Sequence, residues 1–269
     1  MMNNCFSKRF AGFTLVEMAI VLVILGFVLG ALLLPLQAQR QQLAQAQTEN
    51  TLENAKRALM GFAQSRGRLP CPATAVSSGM ELPLGGTTAT NPLCNQQSGF
   101  LPAATLGIQP TDAQGFALDA WNNRILYAVT QANVIGTPAT ADFTSNIADN
   151  PLTALNEADG MNVVGLANLT PDLRVCNSAT GITATNCSVA VPEVNYAINN
   201  AVAVIYSTGV TGAQGSVGRP DELANLDGNT VFVSHDISLA AAPNEFDHIV
   251  TWISPFVLYN EMIQAGQLH

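Results

Sequence analysis

Residues 8–26 read KRFAGFTLVEMAIVLVILG and place one glutamate, Glu17, at the start of a long apolar run. The uncharged stretch that follows, residues 18–39, is long enough to cross a membrane, because about 20 residues rising ~1.5 Å each match a ~30 Å hydrocarbon core. The sequence offers no Lys or Arg within this stretch to pair with the carboxylate. An ionised acid in an apolar segment is costly, so Glu17 needs a partner or a function.

The residues before this run do not form a standard secretory signal. Residues 1–12, MMNNCFSKRFAG, contain two basic residues but lack the apolar core that normally precedes a cleavage site. A basic leader followed by G-F-T-L-V-E and an apolar run resembles the processing site of type IV pilins and type II secretion pseudopilins. The resemblance implies that a prepilin peptidase cuts after Gly12, that the new terminal Phe13 is methylated, and that Glu17 becomes the fifth residue of the mature chain.

Cleavage at this site would create the missing positive charge. The α-amine of Phe13 can pair with a carboxylate in a low dielectric, in its own chain or, as the resemblance implies, in a neighbouring subunit during filament assembly. The implied partners are other pilin or pseudopilin subunits, the prepilin peptidase and an inner-membrane assembly platform. The alternative is an ordinary signal anchor in which Glu17 is a stray acid.

The composition is typical of an exported protein with one globular domain of about 200 residues. Charged residues make up 11% of the 269 residues, and removal of Lys8 and Arg9 with the leader leaves 8 basic against 19 acidic side chains. Binding to nucleic acid depends on clustered Lys and Arg, so this excess of acid argues against nucleic acid as a partner. We expect a single-pass protein of the inner membrane, with its head in the periplasm or outside the cell in an assembled filament.

Four of the five cysteines lie in the exported part of the chain. An even number in an oxidising compartment predicts two disulfides, for which three connectivities exist. We favour Cys71 with Cys94 and Cys176 with Cys187, because closing two local loops is the simplest arrangement. Cys71 and Cys94 stand far apart and neither pair has a C-x-x-C spacing, which argues against a metal site at these cysteines.

Apolar periodicity carries the helix beyond the membrane segment. Leu52, Ala55, Leu59 and Phe62 recur at steps of three and four and mark one helical face that a sheet should cover. Gly67 and the prolines after it end the helix.

The chain therefore divides into four segments. We expect a leader over residues 1–12, the transmembrane half of a helix over 13–36, its exported amphipathic half over 37–67 and a β-rich head over 68–269.

Three short segments rich in β-branched and aromatic residues predict strands, at residues 124–130, 201–207 and 230–234. Asp227 and Gly228 before the last of them predict a hairpin turn.

The chain end and the long intervening segments give two further expectations. Ser254 as N-cap, Pro255 at the first helical position and Gly266 as a stop predict a short terminal helix. Residues 131–160 and 170–190 are loop-like.

Five segments of the head carry a second resemblance. They are R-L-P-C-P (68–72), G-F-L-P (99–102) with T-L-G (105–107), D-A-W-N-N-R-I-L-Y (119–127), V-I-Y-S-T-G (204–209) and F-D-H-I-V-T-W-I-S (246–254). In this order they resemble pilin-like proteins of the general secretion type, including the D-x-W-G-N-x-x-x-Y segment of major pseudopilins. The implied fold class is α+β and pilin-like, with a long N-terminal transmembrane helix packed on a small antiparallel β-sheet with long loops.

The sequence departs from that pattern at Asn122, which replaces a glycine, and at His248, which replaces a frequent second aspartate. Asparagine can still meet the turn constraint. Major pseudopilins can bind calcium in a carboxylate-rich loop, and hard oxygen ligands suit that ion. The candidate ligands here are Asp221, Glu222, Asn225, Asp227 and Asp247. The alternative is a solvated acidic loop without a cofactor, since no EF-hand spacing is met and His248 replaces a hard ligand.

The residues give little support for an enzyme. Ser234, His235 and Asp236 are consecutive, so on a strand their side chains point to alternating faces and cannot form a relay. We therefore expect a filament subunit, a minor pilin or pseudopilin that assembles through its N-terminal helix. The alternative from another class is a bitopic, membrane-anchored receptor or adhesin whose head acts as a monomer.

Overall fold

The computed structural model of the chain describes residues 12, 14–83, 94–132, 141–145, 160–188 and 195–269, and leaves out the side chains of residues 31–38. The chain divides into two compact units, residues 1–46 and residues 47–269, and the second unit is called the head below. The helices are α1 (Leu15–Arg66), α2 (Ala103–Leu106), α3 (Met161–Val164), α4 (Pro220–Leu223) and α5 (Pro255–Gln264). The strands are β1 (Ser98–Phe100), β2 (Leu126–Val129), β3 (Leu173–Cys176), β4 (Tyr196–Ala201), β5 (Ala203–Ser207), β6 (Val231–Val233) and β7 (Ile249–Ile253).

Both ends of the long helix follow from local sequence signals. Thr14 precedes its first residue, and Gly67 follows its last residue in the left-handed conformation, with φ +71°. The amide of Gly67 donates to the carbonyl oxygen of Ala63 at 2.8 Å, which closes the final turn. The predicted long N-terminal helix is therefore confirmed over the residues described.

The core of the head forms where the last turns of α1 meet a four-stranded sheet. Leu52, Ala55 and Leu59 are fully buried on the face that the periodicity predicted. Phe62 is only partly buried, which corrects the expectation that it joins this face. Its ring instead lies 5.2 Å from the guanidinium carbon of Arg68, and the neighbouring Ala63 enters the core.

The four-stranded sheet has the order β1-β2-β5-β7, and every neighbouring pair is antiparallel. An N-terminal helix with an antiparallel sheet confirms the α+β class. Strand β5 is buried at every position because its two faces contact different clusters. Ala203 and Ile205 belong to the core with α1, whereas Val204 and Tyr206 pack with Leu173 and other residues of a second sheet.

The second sheet is the main departure from the expected fold. It has the order β4-β3-β6, and β3 pairs with β6 in parallel, so the head is not built on one antiparallel sheet. Strand β3 lies within residues 170–190, which were wrongly expected to be a loop. Its four residues are too few to show a pattern alone, and pairing with β4 and β6 supplies the hydrogen bonds.

The predicted hairpin at Asp227 and Gly228 is also wrong. Gly228 has φ +76° and a turn is present, but it connects α4 to β6, and β6 pairs with β3 rather than with the preceding strand. The amide of Asn229 donates to Oδ1 of Asp227 at 3.0 Å, so an Asx-type turn replaces the hairpin.

The chain end agrees with its prediction. Helix α5 begins at Pro255, and Oγ of Ser254 accepts a hydrogen bond from the amide of Val257 at 3.4 Å. Of the predicted loop 131–160, residues 133–140 and 146–159 lie outside the described residues.

Candidate functional site

The start of α1 carries the residues expected to be processed. Gly12 is exposed, whereas Phe13 and residues 1–11 lie outside the described residues. The amide and hydroxyl of Thr14 donate to Oε2 of Glu17 at 2.8 and 2.9 Å, and Oγ1 of Thr14 accepts from the amide of Glu17 at 3.3 Å. These reciprocal bonds form a capping box, in which each side chain satisfies a backbone donor of the other residue.

The capping box gives Glu17 a role within its own chain. Sequence reasoning missed it, although T-x-x-E is the signature of this motif. The carboxylate satisfies a donor at the helix start, where its negative charge also interacts favourably with the helix dipole. A carboxylate at this position is thus compatible with helix formation before any second subunit is present.

The side chains that follow Glu17 are apolar and exposed. Large apolar residues between Leu15 and Leu29 expose about half or more of their surface, for example Leu15 at 87% and Phe27 at 77%. The predicted transmembrane segment, residues 13–36, extends into residues 31–36, whose side chains lie outside the described part. Among the helical stretches that the structure describes with side chains, none is long and apolar enough to cross a membrane.

In the head, three of the resembling segments meet at one buried corner. The first of these segments, residues 119–127, forms a turn around Asp119, whose Oδ1 accepts from the amides of Trp121 and Asn123 at 2.9 and 2.8 Å. Asn122 occupies this turn with φ +67°, a conformation that asparagine tolerates better than most residues. The expectation that asparagine can replace glycine here is therefore confirmed.

The second segment joins this turn through the end of β5. Ser207 donates its hydroxyl to Oδ2 of Asp119 at 2.6 Å and accepts from the amide of Gly209 at 3.0 Å. Asn123 completes the connection, because its Nδ2 donates to the carbonyl oxygen of Gly209 at 2.6 Å. The turn and the strand end are thus held together by one buried hydrogen bond to a carboxylate and one partly buried bond to a carbonyl.

The third segment approaches Gly209 from the other side. A Cβ atom at Gly209 would lie 2.3 Å from the carbonyl oxygen of Asp247, and φ at this position is +63°. Both the conformation and the space therefore require glycine. The carboxylate of Asp247 accepts from the amide and hydroxyl of Thr211 at 2.8 and 3.0 Å.

Asp247 begins a cluster of three buried titratable side chains. Glu222, Asp247 and His248 are at most 5% exposed, and one ligand atom of each lies within 4.8 Å of the others. The amide of Asp247 donates to Oε1 of Glu222 at 3.1 Å, and Nη1 of Arg219 donates to Oε2 of Glu222 at 3.2 Å. Burial raises the pKa of both carboxyls above its usual value, and the charge of Asp247 raises the pKa of Glu222 further.

His248 is neutral in this cluster. Burial, together with the charge of Arg219, lowers the pKa of His248 to about 4. Its Nδ1 lies 3.1 Å from Nδ2 of Asn225, whereas its buried Nε2 has no hydrogen-bond partner among the described residues and lies 4.0 Å from Oε2 of Glu222.

The structure brings together only part of the predicted calcium ligands. Glu222 and Asp247 meet, and His248 joins them as a residue that the sequence did not propose as a ligand. Asp221 instead accepts from the amide of Ala179 at 2.6 Å and lies 3.0 Å from Nε2 of His235.

The remaining two candidates also have other partners. Asn225 bonds both backbone groups of Val233, and Asp227 closes the exposed turn before β6.

The cysteines pair as the sequence favoured. Disulfides join Cys71 to Cys94 and Cys176 to Cys187, with Cα–Cα distances of 5.3 and 5.4 Å. Beside the first bond, Arg68 and Glu81 form a bidentate ion pair at 2.9 and 2.8 Å. Oε2 of Glu81 also accepts from the amide of Cys71 at 3.1 Å, so the ion pair positions the backbone of the disulfide.

Comparison with known proteins bears on the N-terminal segment. Residues 7–33 match the model described as the prokaryotic N-terminal methylation motif. This motif is the signature of type IV pilin-like and pseudopilin proteins, so the resemblance of the processing site is confirmed and points to a pilin-like or pseudopilin-like protein. No curated protein and no solved structure matches the chain significantly.

Proposed function

We propose that the chain is a structural subunit, a minor pilin or pseudopilin, of a type IV pilus or a type II secretion filament. The observation that carries this proposal is the methylation motif over residues 7–33. Cleavage between Gly12 and Phe13 makes Glu17 the fifth residue of the mature chain. The proposed role is assembly, without catalysis and without a bound cofactor, and the partners are other such subunits, the prepilin peptidase and an assembly platform.

The exposed apolar surface of α1 supports this role. Consecutive residues from Ile20 to Leu25 are all exposed and apolar, so the surface extends around the whole helix. A helix that is apolar on every side is stable only when lipid or protein covers it. We infer that lipid of the inner membrane covers it before assembly, with the head in the periplasm, and that neighbouring helices cover it in the filament.

Glu17 then has two separable tasks. Its carboxylate caps the helix through Thr14, and its negative charge pairs with the α-amine of Phe13 in a neighbouring subunit. Glutamine can also serve in a capping box, but it carries no charge. The substitution Glu17→Gln therefore removes the charge and keeps the cap, whereas Thr14→Ala weakens the cap and keeps the charge.

The test is filament incorporation. Wild type, Glu17→Gln, Thr14→Ala and Glu17→Ala are expressed in the source cell, and each chain is quantified in sheared or co-purified filaments and in membranes. Leader removal is checked in each variant by amino-terminal sequencing. We expect both Glu17 variants to fall at least about tenfold in the filament-to-membrane ratio, which corresponds to a lost pairing of roughly 1.4 kcal/mol. Thr14→Ala should stay near wild type.

Three results would count against the proposed function or its mechanism. If Thr14→Ala falls as far as Glu17→Gln, the helix start rather than the charge pair controls incorporation. If all variants enter filaments as wild type does, the chain is a filament subunit but the charge of Glu17 is not needed for its incorporation. If wild type is absent from filaments, the monomeric receptor or adhesin becomes the better explanation.

A further inference from the structure

The guanidinium of Arg219 lies among oxygen atoms of the kind that bind a cation. Its Nη1 donates to the carbonyl oxygen of Gly215 at 2.8 Å and to Oε2 of Glu222 at 3.2 Å, and its Nε donates to Oε2 of Glu245 at 2.7 Å. One carbonyl and two carboxylates would also suit a hard divalent cation. Arg219 is 9% exposed, so its charge acts in a largely desolvated environment.

With Arg219 in place, however, the buried carboxylates of Glu222 and Asp247 do not fit the calcium ion that the pseudopilin resemblance implies. Both carboxylate oxygens of Glu222 and both of Asp247 already accept hydrogen bonds from protein donors. An ion held by Glu222 would also lie close to the guanidinium of Arg219, and two positive charges repel strongly where water is excluded.

His248 fits a metal ion no better, because of the proton it carries. The amide of Asn225 has a fixed orientation, since its Oδ1 accepts from the amide of Val233 at 2.7 Å and its Nδ2 donates to the carbonyl oxygen of the same residue at 3.0 Å. Nδ2 of Asn225 therefore also donates to Nδ1 of His248, which leaves the hydrogen of the neutral ring on Nε2. A metal ion bound to His248 would need a lone pair on Nε2, and that position carries the hydrogen instead.

We propose that the guanidinium of Arg219 takes the place of a divalent cation beside Glu222, Glu245 and the carbonyl of Gly215, so that the head keeps its structure without calcium. Arg219 neutralises the buried Glu222 and binds Glu245 and the carbonyl of Gly215 through the same guanidinium. Removal of the guanidinium leaves three oxygen ligands around an empty position with an excess of negative charge. The same proposal therefore predicts that the loss of Arg219 creates a calcium site where wild type has none.

The test follows the thermal unfolding of the full-length protein in detergent. Trp121 and Trp252 both belong to the head, so tryptophan fluorescence reports its melting temperature. Wild type, Arg219→Ala and Arg219→Lys are each melted with a chelator, with calcium chloride and with sodium chloride of the same ionic strength. The sodium arm separates binding from general screening of charge.

We expect calcium to leave the melting temperature of wild type unchanged from its value in chelator, and the same of Arg219→Lys. Arg219→Ala should melt roughly 10 °C lower than wild type in chelator, because it leaves the buried carboxylate of Glu222 and the partly buried carboxylate of Glu245 without their cation. Calcium should restore at least about half of that loss, since an ion that binds only the folded state stabilises it. In the double variant Arg219→Ala with Glu222→Gln, the calcium response should disappear.

Two kinds of outcome overturn the proposal. A wild type that melts higher with calcium than with chelator already holds the ion, so Arg219 does not replace it. An Arg219→Ala variant that melts at the same temperature in chelator and in calcium, or that is unfolded in chelator and in calcium alike, shows that calcium cannot take the position of the guanidinium. Folding of Arg219→Ala only in calcium supports the proposal as strongly as a shifted melting temperature.

Discussion

The hydroxyl of Ser207 donates a hydrogen bond of 2.6 Å to Oδ2 of Asp119, although the two residues are 88 positions apart in the chain. Both residues are buried, and the bond connects the end of β5 to the turn that holds Trp121 and Asn123. A hydrogen bond to a buried carboxylate contributes more than an ordinary one. The corner at Gly209 therefore depends on contacts between segments that are distant in sequence.

Removal of the Ser207 hydroxyl should destabilise the head. Ser207→Ala leaves Asp119 without one donor and the amide of Gly209 without its acceptor, so we expect the free energy of unfolding to fall by about 1.5–3 kcal/mol. Denaturant unfolding followed by tryptophan fluorescence measures the change. Ser65→Ala is the matched control, because that hydroxyl is exposed on α1 and its loss should change stability by less than about 0.5 kcal/mol. Equal effects of the two substitutions would contradict the prediction.

A methyl group at Gly209 should be far more damaging than one at another glycine of positive φ. Gly218 has φ +81° with open space around its Cβ position, whereas a Cβ at Gly209 meets the backbone of Asp247. Gly218→Ala should therefore cost about 1–2 kcal/mol for conformation alone. Gly209→Ala adds the clash and should cost about 3 kcal/mol or more. If both substitutions lower the free energy of unfolding equally, the close approach of Gly209 to Asp247 does not add to the cost of the methyl group.

The Cys71–Cys94 disulfide closes a loop with a sequence separation of 23. In the chain-entropy model, its loss in the double variant Cys71→Ser with Cys94→Ser lowers the free energy of unfolding by roughly 3 kcal/mol. The double variant avoids leaving one free thiol. Peptide mapping of the oxidised protein checks the pairing directly, and a peptide that links Cys71 to Cys176 or Cys187 would overturn it.

Local signals predicted the parts of the fold that depend on neighbouring residues. The end of α1 at Gly67 and the start of α5 at Ser254 follow from caps that the sequence displays. Strand β3 could not be predicted in this way, because its four residues become a strand only through pairing with β4 and β6.

The candidate site shows the same division. The processing residues are consecutive in sequence and could be recognised directly. The meeting of Asp119, Ser207 and Asp247 around Gly209 arises from tertiary packing, so the sequence indicated the segments but not their contacts. Arg219 was missed altogether, because nothing in its neighbourhood marks it as the partner of both Glu222 and Glu245.

Processing of the leader provides a direct test of the cleavage site. Gly12 is the small residue before the expected scissile bond, and Gly12→Val should leave the leader attached, so that the product is about 12 residues longer than the mature form. Intact mass and amino-terminal sequencing distinguish the two forms. Ala11→Val is the neighbouring control and should mature normally. Normal maturation of Gly12→Val would show that the chain is cut elsewhere.

His248 should make the head sensitive to acid. Burial lowers its pKa to about 4 from an ordinary value near 6.5, so the unfolded chain takes up its proton first as the pH falls. Its contribution to stability is complete above pH 6.5 and is lost between about pH 6.5 and 4, by up to roughly 3 kcal/mol. The raised pKa values of Glu222 and Asp247 act in the opposite direction, but to a first approximation they are common to wild type and His248→Gln. As the pH falls from 7 to 4, the free energy of unfolding of wild type should therefore decrease relative to that of His248→Gln. His269→Gln changes an exposed residue, and its free energy of unfolding should follow that of wild type at every pH. A difference that stays constant from pH 7 to pH 4 would show that burial and the charge of Arg219 do not hold His248 neutral.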